Sequence, residues 1–324
     1  MDSSQRSLIE KSTKDYRDGR LSRREFLRRL AVTTGGAALT LSLAELLGCG
    51  PGASPAATAV PVAPTLMATP TPTPTATPTP IATSTPEPGV TVRPDDPSLE
   101  AGPVEFRSDG ITLLGYLARP KAPGPHPAML VIHENRGLLP HFPDVARRLA
   151  QAGYAALAID LVSRQGGTAR VSDAAAALRQ TSTEQLVEDL NSGVRYLQSL
   201  PYVRRERVGA IGFCFGGGLV WLLGVRNPEL KAAVPFYGRR PPLEEVPNLR
   251  AAVLGIYAGN DTGINPGVPE LEAALKQQNK TYRFITYPGA DHSFFNDTSS
   301  RYHPEAAAAA WRETLAWVDR HLKG

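Results

Sequence analysis

The chain has 324 residues, with 35 Lys and Arg against 31 Asp and Glu, a net charge of +4, 30 Pro and only 2 Cys. Two cysteines exclude a disulfide-stapled scaffold and a Cys-rich zinc or iron–sulfur module. The length allows one large domain or two ordinary ones, and a hydrophobic content of 42% is that of a globular protein.

The positive charge is not spread evenly. Residues 1–48 hold nine basic and six acidic side chains, which accounts for +3 of the +4. The remainder is nearly neutral, so no nucleic-acid partner is expected. In the basic stretch, Ser22-Arg23-Arg24-Glu25-Phe26-Leu27 precedes an apolar run from Leu30 to Leu47. A basic region, an apolar region and a small-residue end, in that order, predict an export leader. Gly35, Gly36 and Glu45 interrupt the run, which falls short of the ~20 apolar residues of a spanning helix. Arg23 and Arg24 resemble a twin-arginine signal, and Leu46-Leu47-Gly48-Cys49 resembles the lipobox of bacterial lipoproteins. That resemblance implies the twin-arginine translocation machinery as a partner and a lipid anchor on Cys49. It also implies an exported, membrane-anchored protein on the extracytoplasmic side. Residues 49–103 are rich in Pro and Thr. Pro fixes φ and removes a donor, so this stretch is expected to be an extended, disordered tether.

Residues 104–324 are predicted to form one α/β domain. Ser108-Asp109-Gly110 between the apolar runs Val104–Arg107 and Ile111–Ala118 signals a hairpin. Ala128–Ile132 reads as a buried parallel strand. Pro143–Gln151 has helical spacing, and Tyr154–Ile159 is the next strand. Helices are expected at Ala174–Arg179 and Glu184–Leu200, the second amphipathic. Arg207–Phe213 is a strand running directly into a helix, Gly216–Val225. Strands follow at Ala232–Tyr237, Ala251–Ala258 and Tyr282–Tyr287. Helices follow at Glu270–Gln278 and Pro304–Leu322. Alternating strands and helices predict a mostly parallel sheet with helices on both faces.

Gly212-Phe213-Cys214-Phe215-Gly216-Gly217 lies between the strand and the helix. In a G-x-S-x-G elbow the nucleophile sits on a strained strand-to-helix turn, and here cysteine takes the serine position. Such a turn places the sulfur at a helix N-terminus. The dipole there is expected to favour thiolate and fast alkylation at neutral pH. The backbone N–H of Phe215 would donate to an oxyanion. The competing reading is a structural cysteine in a glycine-rich turn. A dinucleotide site, however, would want its G-x-G-x-x-G at the start of the domain. Asp261 follows one strand and His292 follows another, with Asp291 as the rival acid. The order Cys214, Asp261, His292 is the nucleophile–acid–histidine order of α/β-hydrolases.

The domain resembles the dienelactone hydrolase family of α/β-hydrolases. The resemblance rests on Val131-Ile132-His133-Glu134-Asn135-Arg136-Gly137, Asp160-Leu161-Val162-Ser163-Arg164, the cysteine elbow, Gly259-Asn260-Asp261 and His292-Ser293-Phe294-Phe295-Asn296-Asp297. It implies an α/β-hydrolase fold and cleavage of an ester or lactone, of the carboxymethylenebutenolidase type. Cys214 would be the nucleophile, His292 the general base and acid, and Asp261 its orienter. Glu134 would help to generate the thiolate, with Arg164 as its counter-ion and as a substrate-carboxylate ligand. The second oxyanion donor would be the Asn135 N–H. At the position of the family's other arginine stands Asn296, which departs from a carboxylate clamp. No metal or cofactor is expected, because His133, His141 and His303 lack ligand spacing. The readings beside it are a general carboxylesterase or thioesterase, an amide hydrolase, and a tethered binding protein without chemistry.

Overall fold

The computed structural model describes residues 91–324. The leader, Arg23, Arg24, Cys49 and most of the predicted tether lie outside the described residues.

Eight strands form one sheet in the order β1-β2-β4-β3-β5-β6-β7-β8. They are β1 (Leu99–Ser108), β2 (Ile111–Pro120), β3 (His126–Ile132), β4 (Ala155–Asp160), β5 (Val203–Phe213), β6 (Ala232–Phe236), β7 (Ala252–Ala258) and β8 (Tyr282–Tyr287). β1 and β2 form the expected hairpin. Ser108 pairs with Ile111, and the two turn residues Asp109 and Gly110 both have positive φ, 47° and 80°. That is the backbone an Asp-Gly turn supplies. β2 also runs antiparallel to β4, and every other neighbouring pair is parallel. β4, β6 and β7 are buried at every residue, as strands covered on both faces are.

The helices are α1 (His141–Gln151), α2 (Ala174–Gln180), α3 (Thr183–Ser199), α4 (Phe215–Arg226), α5 (Val268–Gln277) and α6 (Pro304–Val318). α1 and α6 pack on one face of the sheet through Phe142, Val145, Leu149, Ala306, Ala310 and Val318. α3, α4 and α5 cover the other through Leu186, Leu190, Leu219, Val220, Leu271 and Leu275. α6 ends four residues before its predicted end. A wider turn, Asp319–Lys323, follows it, buries Leu322 and brings Lys323 Nζ to the Ala152 carbonyl at 2.8 Å.

The domain begins earlier than residue 104. β1 starts at Leu99, and the chain before it is pinned to α1. The buried Asp144 carboxylate accepts the Thr91 and Val92 N–H groups at 2.8 and 2.7 Å, and Arg147 Nε donates to the Val92 carbonyl at 2.5 Å. Polar contacts between residues 52 to 55 apart leave no hydrophobic period to read, so the sequence pattern does not show this boundary.

From β3 the sheet grows one way through β4 and the other way through β5. In open α/β sheets such a reversal opens a crevice at the carboxyl ends of the strands. Glu134 and Asn135 follow β3, and Cys214 and Phe215 follow β5, so they stand at the two sides of that crevice.

Candidate active site

Cys214 joins β5 to α4 with φ 56° and ψ −115°, a conformation that L-residues rarely adopt. Contacts on both sides hold this turn. The Cys214 N–H donates to the Phe236 carbonyl at 3.1 Å, and the Gly218 N–H donates to the Cys214 carbonyl at 3.1 Å. Gly216 lies so close to β3 that a Cβ there would stand 2.4 Å from the Ile132 carbonyl oxygen. Only glycine lets the first turn of α4 approach the strand ends this closely. The Phe215 N–H lowers the Cys214 thiol against the effect of burial. The Asn135 N–H donates to no group of the described chain.

Asp261 and His292 come together from the ends of β7 and β8. His292 Nδ1 donates to Asp261 Oδ2 at 2.6 Å. Asp261 Oδ1 accepts the Gly263 and Ile264 N–H groups, both at 3.1 Å, so the carboxylate is fixed before it meets the ring. The proton on Nδ1 leaves Nε2 as the free acceptor. Asp291, the rival acid, is exposed and held by Asn260 Nδ2 at 2.9 Å. His292 and Cys214 line the same cavity, of about 780 Å³, with Phe215, Asn135 and Tyr237.

Glu134 is 8% exposed, not a surface acid. Its Oε2 accepts from Asn296 Nδ2 at 3.0 Å, and its Oε1 accepts from Tyr237 Oη at 3.4 Å. The Asn296 amide is oriented by Thr298, whose N–H and hydroxyl donate to its Oδ1 at 3.0 and 2.6 Å. Both ligands of Glu134 are therefore neutral. Arg164, expected as its counter-ion, is instead paired with the buried Asp189, with Nε and one Nη at 2.9 and 2.8 Å. Arg164 does not line the cavity. A fully buried carboxylate on α3 needs a partner more than a half-buried guanidinium needs a crevice. Sequence spacing carries no trace of that competition.

The sulfur differs from its expected state. Burial, then the charge of Glu134, push the Cys214 thiol up to about 11, against the Phe215 N–H, which lowers it. The helix N-terminus is outweighed, and the resting group is a thiol. At pH 7.5 the thiolate fraction is on the order of one in a few thousand. In a Cys49→Ser background, iodoacetamide should therefore label Cys214 slowly at neutral pH, the rate rising towards pH 11. Removing the negative charge in Glu134→Gln should move that profile to lower pH. Fast labelling of the wild type at pH 7, or an upward move in the variant, would contradict this.

Two contributors escaped the sequence reading. Tyr237 follows β6 at φ 37°, fully buried, its ring 5.0 Å from that of His292. Burial and Glu134 push its phenol well above the usual value, so it stays a donor. Its position at a strand's carboxyl end was a readable signal. In sequence Asn296 stands only where an arginine is missing, whereas in the fold it is the amide that holds Glu134. His133 is fully buried and neutral; Leu161 N–H donates to its Nε2 at 3.1 Å, and its Nδ1 donates to the Glu134 carbonyl at 2.6 Å. It ties the ends of β3 and β4 together. Among the described residues, no group of three or more His, Cys, Asp or Glu is placed to hold a metal ion.

The family model for the dienelactone hydrolase family matches residues 113–322, the span that holds every part of this site. The chain belongs to the dienelactone hydrolase family. A relative from Synechocystis named "Putative carboxymethylenebutenolidase" is 35% identical over 238 residues, 68% of this chain and 96% of that protein. The crystal structure of a "Putative Dienelactone Hydrolase" from Klebsiella pneumoniae has 34% identity and a TM-score of 0.64, covering 68% of this chain and 99% of its own. Dienelactone hydrolase from Anabaena variabilis has 25% identity and a TM-score of 0.56, over 69% and 99%. The protein is thus a hydrolase of this family, with its α/β fold.

Proposed function

We propose that this dienelactone hydrolase family member cleaves a carboxylic ester or lactone by acyl transfer through Cys214. What supports it is one arrangement: a strained elbow thiol at a helix N-terminus shares a cavity with a histidine backed by a fixed carboxylate. On substrate binding, His292 Nε2 takes the thiol proton. The thiolate adds to the carbonyl carbon, and the Phe215 and Asn135 N–H groups receive the oxyanion. Collapse breaks the C–O bond, and the imidazolium returns the proton to the leaving alkoxide. His292 then removes a proton from water. The hydroxide adds to the thioester, the C–S bond breaks, and the proton goes back to sulfur. Burial and the Glu134 charge keep the sulfur protonated at rest, so the nucleophile forms only with substrate in place.

Arg164 is engaged by Asp189 and Asn296 by Glu134, so these two positions do not form a carboxylate clamp. The arginines that line the cavity are Arg179, Arg226, Arg239 and Arg240, of which Arg226 is held by Glu245. A panel of dienelactones, simple lactones, aryl esters and thioesters is the test. Hydrolysis of at least one, lost in Cys214→Ala, is expected; no turnover of any would refute the reading.

We further infer export by the twin-arginine machinery and lipid anchoring at Cys49, on the sequence motifs alone. Palmitate labelling of cells should mark the wild type and not Cys49→Ser. Equal labelling of both, or of neither, would refute the anchor.

A further inference from the structure

Five residues of α4 line the cavity: Phe215, Gly218, Leu219, Leu222 and Arg226. Steps of three, one, three and four put all five on one side of a helix. The cavity therefore runs lengthwise along α4 from the Cys214 elbow and is not a pit above the sheet. The facing wall sets the apolar Ala175 and Leu178 of α2 and Leu186 of α3 beside the polar Arg179, Thr183 and Glu184. Gly218 keeps the passage open beside the backbone of Arg239, which a Cβ would approach to 3.6 Å. Arg226 stands at the far end. Its guanidinium is held by both oxygens of Glu245 at 2.7 Å, so it is a fixed wall and not a free charge. At about 1.5 Å per residue, Phe215 and Arg226 are roughly 16 Å apart, the reach of an extended chain of about a dozen carbons. A small lactone would occupy only the first turn.

We propose that the ester cleaved here carries an unbranched apolar arm of about ten carbons, laid along α4 between Phe215 and Arg226. The proposal rests on the acyl-transfer reading above, because the arm is placed by its carbonyl at Cys214. Each methylene laid against Leu178, Leu186, Leu219 and Leu222 leaves water, which should raise kcat/KM roughly threefold until the wall is reached.

The test uses the full chain and two series of esters. One is p-nitrophenyl alkanoates from acetate to tetradecanoate; the other is alkyl acetates of the same lengths. In one series kcat/KM should climb with length, peak near ten to twelve carbons and fall beyond. Leu222 lies seven residues from Phe215, about 10 Å along the helix. Leu222→Trp should therefore move the peak to about six to eight carbons and lower the decanoate-to-acetate ratio of kcat/KM at least tenfold. Ala175→Phe narrows the same passage from the opposite wall and should lower that ratio too, which covers a Leu222 variant that fails to fold. A flat profile in both series, or an unmoved peak in folded variants, overturns the proposal. No hydrolysis of any ester, acetate included, overturns the acyl-transfer reading itself.

Discussion

Cys214→Ala should lower kcat for p-nitrophenyl acetate by about four orders of magnitude or more, the usual cost of deleting a nucleophile. The structure should survive the change. Alanine removes one sulfur, and the turn is held by the Phe236 carbonyl, the Gly218 N–H and the close approach of Gly216, none of which involves that atom. Both residues pay the same penalty at φ 56°, so little backbone strain is added. A thermal transition within a few degrees of wild type would separate lost chemistry from lost fold. Wild-type-like turnover in the folded variant would remove Cys214 from the mechanism, and with it the acyl-enzyme.

Asp261→Asn should cost about 10^3–10^4 in kcat, although it changes one atom. The reason is orientation. The Oδ1 position of residue 261 accepts two backbone N–H groups, from Gly263 and Ile264. An asparagine must keep its oxygen there, since turning its NH2 towards those donors would leave them unpaired. Its NH2 then faces His292 Nδ1 and donates to it. That forces the proton onto Nε2, where the mechanism needs a lone pair. KM for a neutral ester should change little. A variant with more than a tenth of wild-type kcat would show that Asp261 does not set the tautomer.

The chain order Cys214, Asp261, His292 was legible because each residue follows a strand whose pattern could be read. Parallel strands deliver their carboxyl ends to one edge of the sheet, so position after a strand is already position in space. The Asp109-Gly110 turn was legible for a local reason: few residue pairs accept two positive φ angles. Arg164 was misplaced because its fate depends on Asp189, 25 residues away on α3. Asn296 was misjudged because its value lies in a contact with Glu134, 162 residues distant. The protonation of Cys214 was misjudged for a similar reason. A helix N-terminus can be read from sequence, but the burial and the opposing carboxylate that outweigh it cannot.

The amino-acid order alone determined the alternation of strands and helices, the turn that carries the sulfur and the family to which the chain belongs. These follow from local backbone preference and from periodicity, which act over a few residues. Tertiary structure alone decided which charges pair, where the domain begins, that the sulfur rests as a thiol and that the cavity lies along α4. Those outcomes follow from desolvation and from contacts between distant segments, and both terms exist only once the chain has closed around them. The two cysteines that first excluded a disulfide scaffold illustrate the division. Cys49 remains a reading of its neighbours in sequence, while the Cys214 thiol is pushed up by burial and by Glu134, a residue it meets only in the fold.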